Sequence, residues 1–163
     1  MAKIELKNVA HSYSPDVENP EYALKKCNLS WKDGGRYAVL GPSGCGKTTM
    51  LNIMSGLVTP SEGTIKFDGF DITHMSTAER NIAQVFQFPV IYNTMTVAQN
   101  LGFPLLCRNY PKEVITKKVD QVAQTLGLEN LLNLRATKLT ADQKQLISLG
   151  RGLVREDVAA ILM

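Results

Sequence analysis

Residues 41–48 constrain the fold of this chain more than any other segment. They read G-P-S-G-C-G-K-T and fit the pattern G-x-x-x-x-G-K-[ST] without a mismatch. A short apolar run at 37–40 precedes them, and residues 49–54 read as the first turns of a helix. Because the pattern binds phosphate only between a strand and a helix, this context matters. The sequence predicts a buried strand at 37–40, a phosphate-binding loop and a helix, and the alternative is a chance glycine-rich turn.

The residue types in this loop suit a triphosphate. Glycines are expected to take positive φ angles, so that successive backbone N–H groups approach the phosphate oxygens. The helix beginning near residue 46 adds free N–H donors and the positive end of its dipole. A lysine supplies charge for the β- and γ-phosphates, and a threonine hydroxyl suits Mg²⁺. The predicted phosphate-binding residues are Gly41, Pro42, Ser43, Gly44, Cys45, Gly46, Lys47, Thr48 and Thr49, with Thr48 as a magnesium ligand.

Composition narrows the class of protein. The 163 residues predict one domain, and a hydrophobic fraction of 44% is enough for a core. No apolar run reaches the roughly 20 residues that span a bilayer, and the charged start of the chain is unlike a signal peptide. The basic residues are scattered, so no nucleic-acid partner is expected. Three distant cysteines favour a reducing cytosol over a disulfide framework or a zinc site.

Apolar spacing and turn signals give a coarse order of elements. Strands are predicted at 3–9, 24–31, 64–67 and 82–86, and a buried parallel strand is predicted at 158–163. Residues 14–21 are predicted to form a loop, and Asp68-Gly69 a tight corner. Helices are predicted at 47–55, from 96 to about Pro104, from Pro111 to 126, and at 143–153.

Several segments together resemble a known family. The similar segments are 23–26, 29–30, 71–73, 79–87, 95–101 and 150–156. They resemble the nucleotide-binding subunit of ATP-binding cassette (ABC) transporters, and most closely the bacterial carbohydrate-import ATPases. The resemblance runs almost from end to end. It implies an α/β fold: a P-loop NTPase core with a mainly parallel sheet, an N-terminal antiparallel β subdomain, and a helical subdomain at about 94–142. Residues 1–163 would form one incomplete nucleotide-binding domain.

The resemblance implies roles for two further residues. Tyr13 lies where the family has an aromatic residue that stacks on the adenine of ATP; alone, it would be an ordinary surface or core aromatic. Gln87 matches the Q-loop glutamine, whose amide oxygen reaches Mg²⁺ or the attacking water. The segment 88–93 would then contact membrane permease subunits. The implied cofactors are ATP and Mg²⁺.

The signature loop departs from the family. Where the family has L-S-G-G-Q, facing the nucleotide of a second ATP-binding subunit, this chain has Leu139, Thr140, Ala141, Asp142 and Gln143. Ala141 resists positive φ. Asp142 at about 6 Å from the γ-phosphate would cost roughly 3 kcal/mol at an effective dielectric near 20; alternatively it points outward or caps a helix beginning at Gln143. A weakened site suggests pairing with a different subunit that carries an intact signature.

The family's catalytic residues are not matched in this chain. In the family, the strand at 158–163 leads to the Walker B aspartate, the catalytic glutamate and a switch histidine. None is present, and His11 and His74 are predicted to be surface residues. The sequence is therefore expected to be C-terminally truncated, binding ATP weakly at best without efficient hydrolysis.

The resemblance also implies what the parent protein does. It would couple ATP binding and hydrolysis to uptake of a carbohydrate-like solute, as a cytoplasmic subunit peripheral on the inner face of the cell membrane. Two alternatives stay open. One is a cytosolic ABC ATPase without a transport role, and the other is a nucleotide sensor that does not hydrolyse ATP.

Overall fold

A computed structural model describes residues 1–16 and 18–163 as ten helices and strands, joined by loops and short 3₁₀ turns. The strands are β1 Ile4–His11, β2 Leu24–Trp31, β3 Glu62–Phe67, β4 Phe70–Asp71, β5 Ala83–Gln84 and β6 Ile161–Leu162; the helices are α1 Lys47–Ser55, α2 Val97–Leu106, α3 Lys112–Leu126 and α4 Ala141–Leu153. Within the described ranges, none of the helices combines the length and apolarity that a membrane crossing requires. The chain divides into one compact unit at 1–82 with Leu162, and another at 83–161 with Met163.

The first unit contains a four-stranded antiparallel sheet in the order β2-β1-β3-β4. Leu6 on the central strand β1 is paired with Leu29 of β2 and with Ile65 of β3. Leu6 and Ile65 are at most 1% exposed, as expected where alternate side chains of a sheet face a core. The tight corner between β3 and β4 has φ angles of 48° at Asp68 and 84° at Gly69, which confirms the predicted turn.

The second unit is built on the helices α2, α3 and α4. Apolar side chains from all three form one buried cluster: Val97, Leu101, Leu105, Val119, Ala123, Leu128, Leu139, Ile147 and Val154. A Cβ atom on Gly150 of α4 would lie only 2.4 Å from a Leu101 methyl group, so α4 approaches α2 closely where it has no side chain. The apolar residues that recur at helical spacing along α3 lie in or against this cluster: Ile115, Val119, Val122 and Leu126.

The core sheet is smaller than the sequence predicts. Residues 37–40 form no strand, and Leu40 is 89% exposed. An apolar run becomes a buried strand only where a neighbouring strand completes its ladder, and no strand in the described residues pairs with this run. The strands predicted at 82–86 and 158–163 shorten to β5 and β6, which pair with each other as a two-stranded sheet. The predicted loop at 14–21 has no helix or strand at its described positions, and Val17 lies outside the described residues.

Candidate functional site

The loop at 41–46 turns into α1 through two glycines in the left-handed region. Gly44 has φ of 82° and Gly46 has φ of 90°, so both carry the positive φ that the sequence predicts. Gly46 also lacks room for a side chain, because a Cβ there would lie 2.4 Å from the Ala23 carbonyl oxygen. The same prediction is wrong for Gly41, which has no positive φ. At that position a Cβ would lie 2.6 Å from the Cys45 sulfur, which is the end of a side chain that can rotate away.

The first turn of α1 leaves backbone donors free. The Met50 N–H donates to the Gly46 carbonyl at 2.9 Å, which is the first hydrogen bond of the helix. The amides of Lys47, Thr48 and Thr49 precede it, so they have no acceptor within the helix. Among the described residues no side chain caps this end, whereas α2 and α4 both begin with a complete capping box. The N-terminus of α1 can therefore offer its N–H groups and its dipole to an anion.

The Lys47 ammonium group lies against the loop. Its Nζ donates to the carbonyl oxygens of Gly41 at 2.9 Å and Pro42 at 2.8 Å, and it lies 3.7 Å from the Cys45 sulfur. The loop itself, including Ser43, is exposed, and so is the Thr48 side chain. The Lys47 ammonium group therefore places one positive charge beside a solvent-exposed turn. The free N–H groups at the start of α1 follow directly in the chain.

Tyr13 lies beside the same helix. Its hydroxyl is 3.4 Å from the Thr49 hydroxyl in the first turn of α1, while 63% of its surface is exposed. The structure thus brings the predicted adenine platform next to the predicted phosphate loop. The prediction of a surface histidine at position 11 is wrong, because His11 is only 8% exposed. Its ring packs edge-to-face on Tyr13 with centroids 4.6 Å apart, whereas His74 is exposed as predicted.

A buried arginine, which the sequence did not single out, holds the other end of α1. Arg80 is 3% exposed and donates to the carbonyl oxygens of Ile53 at 2.6 Å and Met54 at 3.1 Å. It also donates to Thr73 at 2.8 Å and to Met75 at 3.0 Å. The last carbonyls of a helix lack partners within it and favour a cation. Burial lowers the pKa of Arg80 from its usual value, and the four carbonyls supply the acceptors for its donors.

In the second unit, Gln87 lies in an exposed segment that follows β5. The neighbours of Gln87 are hydrogen-bonded to α4. Gln145 donates to the Phe86 carbonyl at 2.9 Å, and Arg151 donates to the Val90 carbonyl at 2.7 Å. The segment on either side of Gln87 is therefore attached to the helix that carries the signature residues.

Helix α2 holds the end of the same segment through Asn100, a residue that sequence reasoning missed. Asn100 is fully buried. Its Oδ1 accepts from the Tyr92 N–H at 2.8 Å, and its Nδ2 donates to the carbonyls of Tyr92 and Thr96, each at 3.0 Å. A buried amide with both ends paired fixes the course of the backbone around it.

The signature residues form the start of α4. The Thr140 hydroxyl accepts from the Gln143 N–H at 3.3 Å, and the Gln143 amide oxygen accepts from the Thr140 N–H at 3.0 Å. The helix begins at Ala141, so the prediction of a helix beginning at Gln143 with Asp142 as its cap is wrong. Asp142 is an exposed residue of the first turn, where the helix dipole favours a negative charge. Leu139 is buried in the apolar cluster.

The described residues hold no group of three or more histidine, cysteine, aspartate or glutamate side chains arranged for a metal ion. Mg²⁺ that arrives with a nucleotide keeps most of its waters and binds mainly substrate phosphates. From the protein such an ion needs few oxygens. The exposed Thr48 hydroxyl beside the loop fits that requirement.

This chain is similar to known proteins in sequence. Residues 24–162 match the ABC transporter family. The chain is 38% identical over 159 residues to the sn-glycerol-3-phosphate import ATP-binding protein UgpC 1 of Rhizobium etli, covering 98% of this chain and 44% of that protein. It is 39% identical over 162 residues to the trehalose import ATP-binding protein SugC of Mycobacterium tuberculosis, covering 99% and 40%. The chain thus spans less than half the length of these curated relatives.

Solved structures agree in fold. The dimeric ATP-binding cassette MJ0796 bound to ADP and Pi superposes with a TM-score of 0.80 at 31% identity, covering 93% of this chain and 69% of that one. The protein cbiO1 from Clostridium perfringens, part of the ABC transporter complex cbiONQ, superposes with a TM-score of 0.79 at 27% identity, covering 93% of this chain and 61% of that one. The matched residues include the phosphate-loop motif and helix α1, and the solved structures share the fold. The chain therefore belongs to the ABC transporter family.

Proposed function

We propose that this chain binds the phosphates of ATP through residues 41–49 and stacks its adenine on Tyr13. The observation that carries the proposal is the uncapped start of α1, which follows Gly44 and Gly46 at φ of 82° and 90°. That arrangement directs free N–H groups to one place, beside the Lys47 ammonium. The family match supports ATP as the ligand, since the relatives named above are ATP-binding proteins.

Magnesium enters with the nucleotide in this proposal. Bound Mg²⁺ neutralises charge on the phosphate oxygens. Thr48 supplies a hydroxyl from the protein, and the family resemblance alone assigns the Gln87 amide oxygen as a further contact. Gln87 stands in an exposed segment that is hydrogen-bonded at Phe86 and Val90 to α4, so a change at that amide would be transmitted to the signature helix.

The parent protein would couple ATP binding and hydrolysis to import of a carbohydrate-like solute through membrane permease subunits on the cytoplasmic face. Two relatives support this, because one is a glycerol-3-phosphate import ATP-binding protein and the other a trehalose import ATP-binding protein.

The signature loop points to the kind of subunit that would face this one. Ala141 and Asp142 replace two glycines of the family pattern. The Thr140 hydroxyl already accepts a hydrogen bond inside its own helix. Asp142 adds a carboxylate where the partner's γ-phosphate would approach, and like charges repel. We therefore propose an ATPase heterodimer, and isolation of the intact transporter with two copies of this chain, both hydrolysing ATP, would contradict it.

The direct test of the nucleotide site is a binding titration with Lys47→Ala. Charge-assisted hydrogen bonds contribute about 1.5–3 kcal/mol each, so loss of the ammonium should raise the Kd for ATP about tenfold to a hundredfold. Lys117→Ala is the matched control, because Lys117 is an exposed lysine of α3. It should leave the Kd unchanged. Equal affinity of Lys47→Ala and the unchanged chain would refute a phosphate site at this loop.

A further inference from the structure

We propose that His11 is a positioning residue for adenine recognition, and that Ser61 anchors it. Buried below Tyr13, the His11 ring holds the Tyr13 ring in the orientation that a purine stacks on. This inference rests on the proposed function, because it concerns the base that Tyr13 would meet. It assigns to His11 and Ser61 a part in choosing adenine, distinct from the phosphate loop.

The placement of His11 is unusual for a polar side chain. It is 92% buried, since only 8% of its surface is exposed, although histidine is usually at least partly exposed. Its Nε2 atom is buried with no hydrogen-bond partner among the described residues. Burial of an unpaired polar atom costs free energy, so the ring is held there by its other contacts. Those contacts are with Ser61 on one side and Tyr13 on the other.

Ser61 fixes the His11 ring from below. Its hydroxyl lies 3.3 Å from His11 Nδ1, accepts from the Ser12 N–H at 3.2 Å and lies 3.3 Å from the Ser12 carbonyl. If Nδ1 carries the proton, the hydroxyl accepts from it and donates to the Ser12 carbonyl, so all three bonds form together. The Ser61 N–H also donates to the Ala10 carbonyl at 3.0 Å. One serine thereby ties the backbone on both sides of His11.

The His11 ring then restrains Tyr13. The two rings meet at an interplanar angle of 89° with centroids 4.6 Å apart, which is the edge-to-face arrangement that aromatic pairs favour. The far end of Tyr13 is 3.4 Å from the Thr49 hydroxyl on α1. Contacts at both the ring and the hydroxyl leave Tyr13 few rotamers. The exposed 63% of its surface remains available to a base. Less ordering is then required when adenine binds.

The test compares a ligand that has a base with one that has none. Amide NMR titrations of the unchanged chain, His11→Ala and Ser61→Ala would give Kd values for ATP and for inorganic tripolyphosphate. His11→Ala removes the edge-to-face contact, and Ser61→Ala removes the anchor that orients the His11 ring. Each should raise the Kd for ATP about three- to tenfold. The Kd for tripolyphosphate should change by less than about twofold, because that ligand has no base to stack on the Tyr13 ring. His74→Ala, at the exposed histidine, is the matched control and should change neither.

The outcomes distinguish failure of the positioning role of His11 from failure of the phosphate site. Equal weakening of ATP and tripolyphosphate, or unchanged ATP affinity in a folded His11→Ala, would overturn the positioning role alone. If His11→Ala does not fold, Ser61→Ala decides by the same comparison. If the unchanged chain binds neither ligand, or if Lys47→Ala binds ATP as well as it does, the phosphate site fails and the positioning role fails with it.

Discussion

Replacing Arg80 by methionine should destabilise the unit that carries the phosphate loop. Methionine fills a similar volume but removes every donor. The guanidinium group makes four hydrogen bonds to carbonyls at the end of α1 and in the segment after β4. The Ile53 carbonyl also accepts from the Gly56 N–H at 3.2 Å, so it keeps one donor when Arg80 is replaced. For the other three carbonyls, Arg80 is the donor that the substitution removes.

The magnitude follows from those three acceptors. A buried polar group that loses its partner costs about 1–3 kcal/mol. The Met54 and Thr73 carbonyls lie in buried bonds and the Met75 carbonyl in a part-buried one, so the sum is about 3 kcal/mol. That is a large part of the about 5–15 kcal/mol by which a domain is stable. With a urea slope of about 2 kcal/mol/M, the unfolding midpoint should fall by about 1.5 M. Circular dichroism during urea titration measures this midpoint.

A matched control separates the contacts from the charge. Arg36→Met removes one positive charge from an exposed position and should shift the midpoint by less than about 0.25 M, since surface substitutions change stability by about 0.5 kcal/mol or less. Equal midpoints for Arg80→Met and Arg36→Met would refute the argument that the carbonyls depend on this guanidinium group.

Two further results are expected. ATP should slow alkylation of Cys45 in the phosphate loop but leave Cys107, which is also exposed, unchanged; mass spectrometry measures both, and equal rates with and without ATP would contradict the site. On the surface, hydrogen bonds from Lys26 and then from Tyr22 lower the pKa of Glu62. These hydrogen bonds stabilise the folded chain when Glu62 is ionised. Their contribution is present above the pKa of Glu62 in the unfolded chain and is lost as pH falls through its lower pKa in the folded chain. Lys26→Ala should raise the Glu62 pKa in an NMR titration, and an unchanged value would contradict the pairing.

Local signals predicted α1 closely. The helix was predicted at 47–55 and occupies Lys47–Ser55, ending at Gly56 with φ of 81°. Glycines at both ends supply left-handed conformations that other residues adopt only at a cost, so the sequence marks where the helix begins and ends. The two-residue corner after β3 was predicted for the same reason.

Long-range contacts account for the errors. His11 is buried because Ser61, 50 positions away, anchors it, and Arg80 is buried because α1 ends beside it, 27 positions away at Ile53. Neither contact has a local signature. The exposed run at 37–40 shows the same limit, since apolar character indicates a preference for burial but does not supply a pairing strand.

The start of α4 was missed although the sequence contained its signal. Thr140 and Gln143 have the three-residue spacing of a capping box, which marks Thr140 as the cap and Ala141 as the first helical residue. The sequence analysis interprets residues 139–143 through the family's signature pattern, as a loop that faces the nucleotide of a partner subunit. The helix cap follows from this chain's own residues, whereas a role across a dimer rests on the family.

The central claim is that residues 41–49 enclose the phosphates of ATP. A crystal structure of this chain grown with ATP and Mg²⁺ tests it most directly. In that crystal, phosphate oxygens should lie at about 2.7–3.2 Å from the backbone nitrogens of Gly44, Gly46 and Lys47, with the adenine against Tyr13. ATP bound elsewhere on the molecule, with no phosphate oxygen near those nitrogens, would contradict it.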